Sequence, residues 1–177
     1  MGVVAKAFLY FGFYVLLHFA YEATGWEVLR PIVGTNESVF EHLKIGFFAY
    51  FFASLGEFAF LKRRPIRPRE FWTSRLLATW SVPWTVVSVW YLAYAFTGKP
   101  LPLFAELLWA LVVTFLSGIF GALIERGIED NWIPQEVKGV LVVLFLTALA
   151  FFVAFTYRAP VFDLFVPPSL SHTLAGQ

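Results

Sequence analysis

The sequence predicts an all-α integral membrane bundle of five transmembrane helices, with the N-terminus cytoplasmic and the C-terminus extracytoplasmic. Three observations predict it. Hydrophobic residues make up 59% of the 177 positions and charged residues 14%, with a mean hydropathy of +0.72, far to the apolar side of a soluble domain. Five apolar runs, near 3–21, 43–61, 76–96, 103–124 and 137–157, each approach the roughly 20 residues that a helix needs to cross the hydrocarbon core. The basic residues are divided unevenly between the connections. Lys6, Lys62, Arg63, Arg64, Arg67, Arg69, Arg75, Arg126 and Lys138 fall on one side, against Arg30, Lys44, Lys99 and Arg158 on the other, and the positive-inside rule makes the first group cytoplasmic. The implied setting is a cell membrane crossed several times by one transmembrane domain over residues 1–177.

The first run reads as a retained helix and not a secretion signal. It has no small-residue cleavage site and continues through Tyr21, Glu22 and Trp26. The second begins inside a polar motif, Asn36 to Lys44, and carries Glu57 towards its far end. The third contains Pro83, which removes the hydrogen bond to the Thr79 carbonyl and predicts a kink, with Ser81, Thr85 and Ser88 near the freed backbone. The fourth sets Glu106, Ala110, Thr114, Ser117, Gly121 and Glu125 down one side, reinforced by Gly118, a face suited to close helix packing in lipid. A polar route from Glu106 to Glu125 is the alternative use of that face. Pairing of Glu57 and Glu125 with basic residues of the Lys62 to Arg69 loop is the structural one. Trp80, Trp84 and Tyr91 form an aromatic stripe on the third span, while Trp72, Trp109 and Trp132 near span ends suit interfacial anchors. Cysteine is absent, which excludes thiolate chemistry and disulfides. The basic loop is read as a topology determinant, with no nucleic-acid partner.

Chemistry concentrates where the first span ends and the second begins. His18 and Glu22 are four residues apart and share a helix face, with Tyr14 one turn deeper. Across the connection lie Asn36, Glu37, Ser38, Glu41, His42 and Lys44. Capping explains part of this group. Asn36 or Ser38 can be the N-cap, Ser38 and Glu41 have capping-box spacing, and Glu41 and Lys44 are spaced for an ion pair. It does not explain His42 facing His18 and Glu22.

Imidazole nitrogen and carboxylate oxygen together suit zinc, so His18, Glu22 and His42 are candidate metal ligands, with Glu37 and Glu41 as candidate general bases. His172 sits in a tail beyond the last span. The spacing matches no established zinc motif. Three function classes follow. They are a metal-dependent hydrolase of a lipid or lipid-linked substrate, a transporter of a small solute, ion or proton using Glu106 or Glu125, and a non-catalytic accessory subunit. The absence of inverted halves weighs against the transporter. The bilayer is the expected partner, with a lipid or small molecule as ligand and oligomerisation left open.

His18-x-x-Tyr21-Glu22 followed by Asn36-Glu37-Ser38-Val39-Phe40-Glu41-His42-Leu43-Lys44 resembles a family of small uncharacterised prokaryotic polytopic membrane proteins, a domain of unknown function. The family's motif is Asn-Glu-Ser-x-Trp-Glu-His-x-Lys, with Phe40 here in the Trp position. Phe155 to Pro160 and Leu164-Phe165 are similar to its ending, whereas the residues around His172 are not. The resemblance implies an architecture and a focal motif, and no activity.

Overall fold

In a computed structural model, which describes residues 1–60, 68–99, 101–129, 131–160 and 163–165, the chain is helical throughout its long elements. The order is α1 (Val3–Thr24), a 3-10 turn η1 (Glu27–Leu29), α2 (Val39–Phe60), α3 (Pro68–Thr97), α4 (Leu103–Glu129), α5 (Gln135–Tyr157) and a second 3-10 turn η2 (Asp163–Phe165). No strand occurs among the described residues. Gly25 and Gly98 end α1 and α3 in the left-handed region, each at φ 64°, and donate their N–H to the carbonyls of Tyr21 and Tyr94. α3 continues through Pro83, with the Ser81 hydroxyl donating to Leu77 O at 2.8 Å and Thr85 to Ser81 O at 3.2 Å.

Helices α1 to α4 form a ring in chain order, each packed on its neighbours and α4 closing against α1, while α5 lies outside against α3. Phenylalanines tie α5 to α2 as well, Phe145 standing 5.2 Å from both Phe47 and Phe51. Four helices, α1, α3, α4 and α5, are long and apolar enough to cross a membrane. α2 is not among them within the described residues. It is the element most enclosed by the others, burying Phe40, Glu41, Leu43, Lys44, Ile45, Phe47, Ala49, Tyr50, Ala53, Ser54 and Glu57. A helix shielded by neighbours can carry charge that a lipid-facing helix cannot. α4 and α5 instead expose Phe104, Leu107, Leu111, Leu123, Val140, Val143 and Leu146, a surface suited to hydrocarbon.

The small face of α4 is a packing surface. A Cβ added at Gly118 would lie 2.5 Å from Tyr10, and one at Gly121 would lie 2.6 Å from Tyr50 and 2.8 Å from Val82. Glycine lets the α1 and α2 tyrosines reach the centre of the ring. The aromatic expectations divide. Trp84, Tyr91 and Trp132 are exposed. Trp109 is instead drawn inward, its indole N–H donating to Trp90 O at 3.2 Å, and Trp72 packs on Phe58.

One end of the ring is closed by buried charge. Lys6 Nζ lies 2.7 Å from Glu57 and 3.3 Å from Glu125, and Arg75 lies 3.2 Å from Glu57, 3.5 Å from Glu125 and 2.9 Å from Glu129. Lys6 also donates to Ser54 Oγ at 3.0 Å, and the Arg75 guanidinium stacks 3.9 Å from the Phe71 ring centre. Glu57 and Glu125 thus find their cations on α1 and α3. The Lys62 to Arg67 stretch, expected to pair with them, lies outside the described residues, as does His172.

The Gly121 contacts generate a prediction. Gly121→Ala forces a methyl group into occupied space and should cost about 1–3 kcal/mol. Gly127→Ala, with nothing within 4 Å of its added Cβ, should be neutral or stabilising. Denaturant unfolding in detergent, followed by tryptophan fluorescence, measures both.

Candidate functional site

The motif between α1 and α2 is built as a stitched loop. Gly34 N–H donates to Leu17 O at 3.2 Å, pinning the loop to the end of α1, and a Cβ at Gly34 would meet Ile45 at 2.7 Å. Asn36 Oδ1 accepts the Ser38 N–H at 2.8 Å, and Ser38 Oγ accepts the Glu41 N–H at 3.4 Å, so both expected caps act in series at the start of α2. The reciprocal half of the capping box is redirected. Glu41 reaches past Ser38 and accepts the Thr35 N–H at 2.7 Å.

Glu41 and Lys44 form a buried ion pair at 2.9 Å, as their spacing anticipates. The ammonium also donates to Arg30 O at 2.8 Å and to Thr156 Oγ1 on α5 at 3.1 Å, so one cation joins the loop, α2 and α5. Phe40 packs among Phe151, Phe152 and Phe165, the last at 4.6 Å between ring centres. Phe40, Glu41 and Lys44 therefore anchor the segment.

Turned about 100° from Glu41 on the helix, His42 faces α1. His18, Glu37 and His42 come together, with one potential ligand atom from each lying within 4.8 Å of the others. The two imidazoles meet edge to face at 5.3 Å, and His18 stacks on Phe19 at 4.8 Å. His42 Nε2 lies 3.5 Å from Glu37 Oε2. His42 Nδ1 lies 2.8 Å from the Ser38 carbonyl oxygen, which can only accept, so Nδ1 carries a proton and Nε2 is the nitrogen presented to His18 and Glu37.

A cleft of about 270 Å³ opens beside this trio, lined by His18, Tyr21, Glu22, Gly34, Thr35, Asn36 and Glu37. Glu22 borders the cleft without joining the trio. At its rim the Tyr21 hydroxyl donates to Glu27 at 2.7 Å and Arg30 to Glu27 at 2.9 Å. These contacts, Tyr21 first, hold the Glu27 carboxyl below the usual carboxylate range. The remaining expected residues lie elsewhere. Glu106 accepts the Tyr94 hydroxyl at 2.8 Å between α4 and α3, and Glu125 belongs to the Lys6 and Arg75 cluster. Tyr21 and Thr35 were not anticipated from spacing. Tyr21 enters from α1 beside His18 and Glu22, and the loop backbone brings in Thr35.

A family model matches residues 3–171, from the start of α1 to beyond η2. The chain belongs to DUF6512, a family of unknown function. No curated protein and no solved structure matches it. In this DUF6512 chain the Asn36 to Lys44 segment divides by contact into an anchored side, Phe40, Glu41 and Lys44, and a side, Glu37 and His42, that meets His18.

The anchored side yields a prediction. Lys44→Met leaves Glu41 buried without its cation and should cost about 3–5 kcal/mol of stability. Arg158→Met, at an exposed position, should leave stability within about 0.5 kcal/mol of the parent. Chemical unfolding in detergent distinguishes them.

Proposed function

We propose that this membrane protein binds a zinc-type divalent metal at His18, Glu37 and His42 and hydrolyses a lipid or lipid-linked substrate at the membrane surface. The observation that carries the reading is the fixed tautomer of His42. A carbonyl holding one ring N–H while the other nitrogen points at a second histidine and a carboxylate is the usual outer support of a metal-ligating imidazole. Two His and one Glu also form a set of three protein ligands, the number that leaves a position open for chemistry. Two ligand atoms on one zinc stand at most about 4 Å apart, so closure from 4.8 Å needs only side-chain rotation. Glu37, whose side chain is 68% exposed, is free to make it.

A bound zinc would supply Lewis-acid polarisation of an ester, amide or phosphate oxygen. Glu22, on the cleft wall outside the trio, would take the proton of the attacking water. In this reading Glu37 serves as a ligand, and Glu41, the other carboxylate first considered as base, holds the loop through Thr35 and Lys44. The Tyr21 and Asn36 sides of the cleft would contact the substrate's polar head. With five spans, the uneven distribution of basic residues supports an extracytoplasmic position for this end.

Metal analysis tests the reading directly. The purified protein dialysed against zinc should retain one equivalent, His18→Ala and His42→Ala should retain none, and Glu41→Gln should retain it wherever it folds. Binding should weaken on acidification, because imidazole ligates only when neutral. Substoichiometric zinc in the parent at neutral pH would sink the metal reading, and full binding with no hydrolysis of lipid esters would sink the enzymatic part alone.

A further inference from the structure

Lys6, Lys44 and Lys138 stand on helices with most of their side chains covered, and two of the three are closely paired. Lys6 Nζ lies 2.7 Å from Glu57 and Lys44 Nζ 2.9 Å from Glu41, whereas Lys138 Nζ stands 4.0 Å from Glu70, its nearest carboxylate among the described residues. No hydrogen bond forms at that separation. The Lys138 side chain is only 19% exposed, so water covers little of it. An ammonium held this way is short of a partner, and a charge taken partly out of water needs one.

Lys138 stands on the wall of a second cleft, of about 300 Å³, near the starts of α3 and α5, lined also by Trp72, Thr73, Leu76, Gln135 and Val142. Trp72 and Leu76 are four residues apart on α3, as Lys138 and Val142 are on α5, so each helix contributes one residue near its start and one a turn deeper. Trp72 is held in place by the rings of Phe58 and Phe71. The phenylalanine contacts of α5 with α2 begin only at Phe145, so the first two turns of α5 approach α3 without that aromatic filling. Trp132, 84% exposed and three residues before Gln135, suits the membrane boundary. From Gly139 to Tyr157 α5 carries no charge. The cleft is therefore polar at headgroup level and apolar one turn further in.

We propose that this cleft binds an anionic phospholipid of the surrounding leaflet, with its phosphate at Lys138 Nζ and the Gln135 amide and the upper part of one acyl chain between Leu76 and Val142. The walls change from cationic to apolar within one helical turn, which calls for an amphipathic occupant. A free phosphate leaves the Leu76 and Val142 half uncovered, and a lipid without net charge brings its own cation to compete with Lys138. Charge also selects the class, because Lys62, Arg63, Arg64, Arg67 and Arg69 precede Trp72 in the sequence, and basic clusters beside a membrane helix favour anionic lipid. Glu70 and the exposed Glu136 are the acids nearby, and they favour a singly charged phosphodiester over a more highly charged headgroup. The site shares no residue with the His18, Glu37 and His42 trio and is independent of the hydrolase reading.

Delipidated protein in detergent, titrated with phosphatidylglycerol or phosphatidylcholine and followed by native mass spectrometry, provides the test. The parent should bind phosphatidylglycerol more tightly than phosphatidylcholine. Lys138→Gln should bind phosphatidylglycerol about fivefold more weakly, the share of one lysine at an anionic lipid surface, and Lys138→Arg should keep the parent affinity. Val142→Trp, at an exposed position, should fill the apolar end and weaken binding with Lys138 intact. Lys99→Gln, exposed beyond the other end of α3, should match the parent. Thermal unfolding in detergent without added lipid confirms that each variant is folded. Equal affinity of the parent for the two lipids overturns the proposal, as does parent affinity in both Lys138→Gln and Val142→Trp. Equal losses in Lys138→Gln and Lys99→Gln overturn it in favour of a diffuse basic surface, and displacement of the lipid by excess inorganic phosphate overturns it in favour of a free anion.

Discussion

Charge carried into an apolar bundle must be neutralised where it stands, and α2 makes that requirement the organising constraint of the fold. Its first turns bring Glu41 and Lys44 inside, and its last turns bring Glu57. An isolated helix of this composition would leave those groups facing hydrocarbon at a cost of several kcal/mol each. The ring of α1, α3 and α4 supplies Lys6 and Arg75 at one end, while the loop and α5 supply Arg30 O and Thr156 at the other. Buried pairs of this kind add little net stability over apolar packing, because desolvation offsets much of the attraction. They do penalise every arrangement that separates the partners, and so they select the register of the helices.

Small residues on α4 serve the same end. Gly118 and Gly121 allow Tyr10 and Tyr50 to occupy the axis of the ring, and the tyrosines in turn place polar oxygen between the two charged ends. The small face of α4 is thus a wall of that interior, with Glu125 at its charged end. Glu106 is held apart from it by Tyr94.

Helix class, approximate spans and the focal motif were legible from hydropathy and local spacing, since both are properties of contiguous sequence. The i, i+3 pair of Glu41 and Lys44, the caps at Asn36 and Ser38, and the divergence of His42 from Glu41 follow from helical periodicity alone. Glu37 was harder to place, because it precedes α2 and no helical rule orients a loop side chain. The partners of Glu57 and Glu125 could not be read at all. Lys6 and Glu125 are separated by most of the chain, and charge balance favours the loop between Lys62 and Arg69 just as well. Only the packing of α1 and α3 distinguishes the two.

The grip of the C-terminal region on the motif has a consequence for how the protein is made. Lys44 waits for Thr156, and Phe40 for Phe165, both more than one hundred residues later in synthesis. Until α5 is inserted and η2 folds back, the start of α2 lacks part of its wall, however well the first four helices have assembled. Local contacts form early and distant ones late. The cleft is therefore among the last parts of the molecule to acquire its final shape, and the last helix acts as the latch that turns a loosely closed helix pair into a defined site.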